Sequence, residues 1–337
     1  MERGNAAAGR RRWPRNGVLA AGLAAATILA LWLGRYPEPG FMPLSALRTD
    51  PLAPRILLDL RLPRVVAALV LGAALATSGV VMQMLFGNPL VEPGLVGVSQ
   101  GAALGAALAI VVGSGQQWAV QLAAAAGGIA GLAAAYLIAR RLRYGGWILR
   151  LVLAGIAVSA VASAGVGVVK LVADPLQELP ELTFWLLGGL WSVNWPRLLP
   201  VLPAVVIGVA VPLAGRWRLN LLSMDDRVSF TLGAAPGRER SLYLVAATVA
   251  VAAVVSIAGI VGWVGLIVPH ATRRIVGADA AVALPASAMI GAAFVALADA
   301  VARTAIAGEI PLGIVTSLVG ATAFLALMTT NAIRIER

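Results

Sequence analysis

Apolar stretches about as long as a bilayer is thick follow one another along nearly the whole chain, separated by short polar segments. They fall at roughly 17–34, 62–86, 94–113, 120–139, 148–172, 198–214, 242–261, 264–272, 280–301 and 312–328. A helix rises about 1.5 Å per residue, so a run of about 20 apolar residues crosses the hydrocarbon layer. Inside lipid every backbone amide must be satisfied by protein, which leaves helices or closed barrels. These runs are continuous and rich in Ala, Leu, Val and Gly. Barrel strands would be short and alternating, so helices are predicted. The expected fold is an all-α polytopic membrane protein of about ten transmembrane helices. The eighth run is too short to cross alone and is expected to be a half-span buried among the others. The chain reads as one transmembrane domain over 1–337: a basic tail over 1–16, a helix bundle over 17–328 and a short tail over 329–337.

Composition agrees: 60% of the residues are hydrophobic and 12% charged, too few polar groups to cover a soluble domain of 337 residues. The formal net charge is +11, and all but one of the 26 basic residues are arginine. In a soluble protein that balance would suggest nucleic acid. Here it reads as topology, because cytoplasmic loops collect Lys and Arg. With the N-terminus inside and ten crossings, most of the basic residues fall inside. They are Arg3, Arg10, Arg11, Arg12 and Arg15, then Arg140, Arg141, Arg143 and Arg150. Arg216, Arg218, Arg227, Arg238, Arg240, Arg273, Arg274, Arg334 and Arg337 complete the set. Both termini are therefore expected in the cytoplasm. The exceptions are Arg35, Arg48, Arg55, Arg61 and Arg64 around the first outer loop, and Lys170, Arg197 and Arg303 near later outer ends. They read either as interfacial side chains that snorkel to water or as an outer basic patch that meets an acidic partner. Arg61 and Arg64 frame a proline and lie on one side of a helix start, which makes them the best candidates for the patch.

The longest inner polar segment, 216–240, contains Leu222-Ser223-Met224-Asp225-Asp226-Arg227 and, further on, Gly233-Ala234-Ala235. Ser223 can cap a helix whose first turn holds Asp225 and Asp226, and Gly233 can stop it. A short amphipathic helix on the cytoplasmic face is expected. Small residues recur within the spans, as in 72–76, 101–105 and 127–131, and such spacing lets helices approach closely.

Several chemistries are excluded. There is no Cys and one His, His270, so neither a disulfide nor a Cys- or His-cluster metal site can be built. Gly97-Val98-Ser99-Gln100-Gly101 has the nucleophile-elbow spacing. It opens an apolar helix, however, and lacks a neighbouring His, so close packing at the glycines is the better reading. His270, after Pro269, reads as a hydrogen-bonded structural residue at a helix break. A Walker A loop needs a Lys on the phosphates, and Lys170 stands in no such loop, so the chain cannot hydrolyse ATP. Ion coupling would need carboxylates at membrane depth. The candidates are Asp299, which can pair with Arg303 four residues on, and Glu92 in the turn after Asn88. An ion-coupled secondary transporter is the disfavoured alternative from another class.

The motifs then resemble one family. Arg61-Leu-Pro-Arg64, Gly72 through Gln83, Asn88-Pro-Leu90, Pro93 through Ala102, Leu182-Thr-Phe-Trp185-Leu-Leu-Gly188, Gly262-Trp-Val-Gly265 through His270, Asp299 with Arg303, and Leu312 through Thr316 run in order as in FecCD-type permeases. These are the membrane subunits of ABC importers for iron-siderophores, haem and cobalamin. The resemblance implies the type II ABC importer permease fold and a non-enzymatic transport subunit in the bacterial inner membrane. It also implies a homodimer in lipid, two cytoplasmic ATPase subunits that use the ATP, and a periplasmic substrate-binding protein. No permanently bound cofactor or metal is implied. Arg61, Arg64 and Arg303 match the family's docking positions for acidic residues of the binding protein. Ser223, Met224, Asp225, Asp226, Arg227, Gly233 and Ala235 match the helix that couples to the ATPase. Asn88 and Leu90 match the inner gate, and the fifth span is expected to line the pathway. The two halves should be pseudo-repeats, with Gly94 through Val98 echoed by Gly262 through Leu266. Two departures are Ala280-Ala281, where the family has His-Arg after Asp279, and Thr322, where it has Pro. The segments 93–105 and 182–188 look most like haem permeases, so haem is the expected ligand, with siderophore and cobalamin the alternatives.

Overall fold

The computed structural model describes residues 12–329 apart from 37 and 114. The tails over 1–11 and 330–337, with Arg3, Arg10, Arg11, Arg334 and Arg337, lie outside the described residues.

Every predicted apolar run is a helix. They are α1 (Arg12–Trp32), α2 (Leu52–Phe86), α3 (Val98–Val111), α4 (Gln117–Arg141) and α5 (Trp147–Val172) in the first half. After α6 (Glu178–Leu187) come α7 (Leu202–Ala214), α8 (Arg216–Leu222) and α9 (Asp226–Thr231). The second half ends with α10 (Pro236–Ala258), α11 (Val264–Val276), α12 (Ala280–Thr304) and α13 (Leu312–Thr329). One two-residue ribbon pairs Leu33 with Phe41 and Gly34 with Gly40.

The number of crossings is less simple than ten. By length and apolarity five described helices can each cross a bilayer: α2, α4, α5, α10 and α12. A sixth crossing is α7 with α8, which bend by 65° where they meet. The apolar cores of α1, α3 and α13 are shorter. At 14 residues α3 rises about 21 Å, short of the roughly 30 Å hydrocarbon layer. The 3-10 turn Pro93–Val96 extends it. The half-span is α11, 13 residues with Pro269 inside it. α6 was not expected. Its sequence mixes Glu178 and Glu181 with a short apolar run, which reads as loop until Asp174 is seen accepting the Leu176 and Gln177 N–H groups ahead of it.

Backbone-to-backbone contact sets the core. A Cβ on Gly72 in α2 would lie 2.0 Å from the Gly291 carbonyl oxygen of α12, and one on Gly79 would lie 2.0 Å from that of Gly265 in α11. The same holds between α3 and α4, where a Cβ on Gly101 would lie 2.4 Å from the Gly127 oxygen. Small residues thus bring helices to van der Waals contact of their main chains, the mode expected where lipid supplies no hydrophobic drive. α2 and α10 are enclosed by other helices, whereas α4 and α5 leave most of their apolar surface uncovered.

Two turns organise the interior. Gly97 (φ 88°) opens α3 and Trp263 (φ 69°) opens α11, both left-handed. Among the described residues Trp263 is the one non-glycine with positive φ, a strained position for a bulky side chain. The pair shows that the two halves each start a helix from a left-handed residue. The register, Gly97 with Trp263, is two positions from the echo expected of Gly97 with Gly265.

Candidate functional site

Three groups of the expected residues are positioned by the fold. At the end of the bundle where α2 begins and α12 ends, Arg61, Arg64 and Arg303 come together. They do not form the exposed patch expected from the sequence. Arg61 is 5% exposed and Arg303 8%. The reason is the C-terminus of α1, whose last carbonyls have no donor inside the helix and whose last turn carries no cation of its own. Arg61 supplies both: its Nη1 donates to the Leu31 and Trp32 oxygens (3.3 and 3.1 Å) and its Nη2 to the Tyr36 oxygen (3.0 Å). Arg303 donates to the Ala30 oxygen. Both cations thereby also complement the helix dipole. Gly34 makes the approach possible, since a Cβ there would stand 2.3 Å from Nη2 of Arg61.

Arg64 is the third. Its Nε donates to both Asp299 oxygens (3.0 and 3.1 Å), its Nη2 lies 2.9 Å from Oδ1, and its Nη1 donates to Glu309 (2.8 Å). Asp299 is buried and also faces Arg303 at 3.4 Å, the i,i+4 pair anticipated from the sequence. Pro63 helps to aim these side chains. It cannot donate to the preceding turn, and the ladder over Ile56–Arg61 widens to a π-turn just before it. Above the buried layer lies a cavity of about 440 Å³ lined by Arg35, Arg61, Arg64, Arg303 and Glu309. The solvent-exposed arginines at this end are Arg35, Arg48 and Arg55. The loop that carries Arg48 and Arg55 is pinned by Asp50, which accepts the Tyr36 hydroxyl and the Leu52 N–H. Those two bonds, the Tyr36 one foremost, hold Asp50 below the usual carboxylate range. Glu309 was missed because nothing near it in sequence marks a partner 245 residues away.

The gate residues lie toward the other end. Asn88 Oδ1 accepts the Leu90 N–H at 2.9 Å, an Asx turn, after Gly87 ends α2 in the left-handed region. Leu90 is exposed and lines a cavity of about 800 Å³ with Trp263 and Leu318. A second cavity of about 330 Å³ shares Glu92, Leu95, Ile260 and Gly262 with it, and adds Ser99 and Gln100. Two polar links clasp the halves here. The Gln83 amide donates to the Val91, Gly265 and Leu266 oxygens, and the Glu92 carboxylate accepts the Trp263 backbone N–H. α5 contributes Ile156 and Ser159 to the second cavity. Ser99 sits on a helix opened by a 3-10 turn, without the strand that an elbow needs. His270 has a buried Nε2 with no hydrogen-bond partner among the described residues and lines neither of these cavities, so the expected hydrogen bond is not seen.

The inner polar segment forms α9, shorter than expected. Its cap is Asp225, whose side chain accepts the Arg227 N–H at 2.9 Å, and not Ser223, whose hydroxyl donates to the Asn220 oxygen. Met224 therefore precedes the helix, and Asp226 sits in its first turn and pairs with Arg240. Gly233 (φ 83°) ends it as expected: its N–H donates to Phe230 O and the Ala234 N–H to Ser229 O, a Schellman closure. Ala235 is the cap of α10 and donates its N–H to Glu239. Arg240 also donates to the Leu222 and Met224 oxygens, and the buried Ser229 hydroxyl to Leu221 O. The result is a hydrogen-bonded hairpin that leaves Met224, Val228, Phe230 and Leu232 exposed. At the Ala280-Ala281 departure, Asp279 caps α12 directly, accepting the Ala281 N–H and the Asn220 amide, so His and Arg are not needed to start that helix.

The chain is thus a polytopic helical bundle with a clasped interior turn, largely apolar cavities and a hairpin that leaves apolar side chains exposed. The sequence model of the FecCD transport family matches residues 22–330. The chain belongs to that family and is a permease of the ABC importer class. It is 36% identical over 304 residues to a molybdate import system permease of Haemophilus influenzae, covering 88% of this chain and 90% of that one. It is 38% identical over 281 residues to a hemin transport system permease of Yersinia pestis, covering 81% and 83%. A metal-chelate type ABC transporter solved in an inward-facing conformation superposes with a TM-score of 0.85 at 35% identity, covering 93% of this chain and 97% of that one.

Proposed function

We propose that two copies of this permease form an import pathway for a bulky metal chelate, haem first among the candidates. Two ATPase subunits on the cytoplasmic side drive it, and a periplasmic binding protein delivers the ligand. The apolar lining of the paired interior cavities carries the ligand reading: together they exceed 1,000 Å³ and suit a large flat ligand better than a small oxyanion. The name of the hemin relative supports haem, and that of the molybdate relative sets the rival. Titrating the binding protein that works with this permease with haemin, cobalamin, a ferric siderophore and molybdate decides between them by absorbance and calorimetry. Uptake into liposomes with the ATPase and binding protein tests the whole assembly. An absence of ATP-dependent uptake would sink it.

On this reading the inner membrane holds the chain with both termini in the cytoplasm, so α9 faces the ATPase and the arginine cavity faces the binding protein. Exposed apolar side chains on an otherwise polar hairpin fit a groove in a partner. Phe230→Asp is expected to lower transport-coupled ATPase activity by at least tenfold while leaving the permease folded, because Phe230 is 71% exposed. Wild-type turnover in that variant would refute the coupling role. Reversal of both Asp225 and Asp226 is a poorer probe, since it also removes the cap and the Arg240 pair.

For docking, the side chains that are free to meet an acidic partner are Arg48 and Arg55, with Arg61, Arg64 and Arg303 forming the charged floor beneath. Arg48→Glu with Arg55→Glu is expected to weaken binding-protein association about tenfold at low salt, with the difference shrinking at high salt. Surface plasmon resonance on nanodiscs reads it. An unchanged affinity would remove the docking role from this face.

A further inference from the structure

At the arginine end, two carboxylates of different kind meet the basic side chains of the cavity: Glu309 in its lining and Asp299 buried behind it. Asp299 is 1% exposed and is held by Arg64 on three atom pairs and by Arg303. Glu309 is 41% exposed, lies on the loop between α12 and α13, and holds one atom of Arg64, Nη1 at 2.8 Å. The loop itself is fixed next to it, because the Ile310 N–H donates to the Ala302 oxygen at 2.9 Å. Only the Glu309 side chain needs to move for Nη1 to be released. The cavity walls bring four arginines, Arg35, Arg61, Arg64 and Arg303, against these two acids, so the site stays electropositive with Glu309 in place.

We infer that Glu309 is an internal stand-in for a partner's carboxylate. It neutralises Arg64 in the free permease and gives up Nη1 when an acidic side chain of the docking protein enters the cavity. The inference rests on the docking reading above and adds a competitor to it. The physical logic is exchange. A buried arginine left without a counter-charge is costly, but Asp299 keeps Arg64 charge-paired, so Nη1 can change partners at little cost. A buried carboxylate could not be exchanged, because its release would strand two cations. A half-exposed one holds its partner weakly, as surface pairs do, and its release into water is cheap. Asp299 keeps Arg64 aimed throughout, and Glu309 sets how much of the incoming acid's attraction is spent on displacement. The partner selected is thus a protein surface that presents an Asp or Glu side chain on a protrusion able to enter about 440 Å³.

The test is the affinity of the permease, assembled with its ATPase in nanodiscs, for the binding protein that supports uptake through it. Glu309→Gln removes the competing charge and keeps the size. Binding is expected to tighten about two- to five-fold at low salt, mainly through slower dissociation, and to converge with wild type at high salt. Glu309→Lys should tighten it at least as much, since it adds a cation to the cavity. Both variants should melt close to wild type, because the residue is half in solvent. Unchanged or weaker binding of Glu309→Gln, alongside weaker binding of the Arg48/Arg55 reversal, would overturn the stand-in role and leave docking at this face intact. If the Arg48/Arg55 reversal and Glu309→Gln both bind as wild type does, the docking reading falls and the stand-in role falls with it.

Discussion

Asp299→Ala is expected to destabilise the permease by about 3–5 kcal/mol, the usual cost of breaking a buried ion pair from one side. The carboxylate is 1% exposed and lies between Arg64 and Arg303. Truncation would leave Arg303 with a carbonyl partner, Ala30 O, and Arg64 with Glu309 alone. Neither arginine can leave, because Arg303 caps α1 and Arg64 stands on the packed face of α2. Asp299→Asn should cost less, since the amide oxygen still accepts one of the Arg64 hydrogen bonds. Glu309→Ala should cost at most about 1 kcal/mol, because its pair is half in water. Fluorescence-detected size exclusion and thermal melting in detergent read all three. A melting temperature of Asp299→Ala equal to that of Glu309→Ala would show that the buried triad is dispensable. The order of the variants, more than any one value, tests whether this end of the bundle is assembled by charge.

The triad also shows which parts of the site were legible in the sequence. Asp299 and Arg303 stand four residues apart on a helix, and that spacing announced their pairing. Arg61 and Arg64 were legible as a pair on one side of a helix start. Their burial was not, because it depends on α1 ending beside them with carbonyls that have no donor inside the helix, a relation between segments 30 residues apart. The arginines that remain in solvent, Arg35, Arg48 and Arg55, look the same in sequence as the buried ones. At the hairpin, a Ser and two Asp residues before an apolar run left the cap ambiguous by two positions. Gly233, whose φ of 83° few other residues adopt, placed the end of the helix correctly. Apolar runs located all five described helices long enough to cross a bilayer, since a span is written in contiguous residues. The short helix α6 was lost because the turn that starts it is held by Asp174, ahead of the helix, and its apolar run is short.

Gly101→Leu is expected to prevent stable assembly of the first half of the bundle. A Cβ on Gly101 would sit 2.4 Å from the Gly127 oxygen, and one on Gly127 would sit 2.3 Å from the Gly101 oxygen. The contacts continue along the same seam: Gly131 meets the Gly97 oxygen at 2.3 Å, and Gly105 meets that of Ala123 at 2.1 Å. What each new atom strikes is main chain, so no rotamer change relieves the clash and α3 and α4 must separate. Overpacking in an ordinary core costs about 1–3 kcal/mol because side chains yield. Here the seam would have to open along several turns, and the loss should exceed that range. Gly22→Leu is the matched control, because nothing lies within 4 Å of its Cβ position. It should express and melt as wild type does. Ser99→Ala completes the set, since Ser99 lies between the seam glycines Gly97 and Gly101. Retained uptake in Ser99→Ala with loss of folded protein in Gly101→Leu would assign the Gly-x-Ser-x-Gly spacing to helix contact. Loss of function in Ser99→Ala at normal stability would instead give the hydroxyl a role in the cavity that it shares with Glu92. The seam leads directly into the Pro93–Val96 turn, whose Leu95 lines both interior cavities, so a Gly101→Leu clash that moves α3 would also disturb the cavity wall.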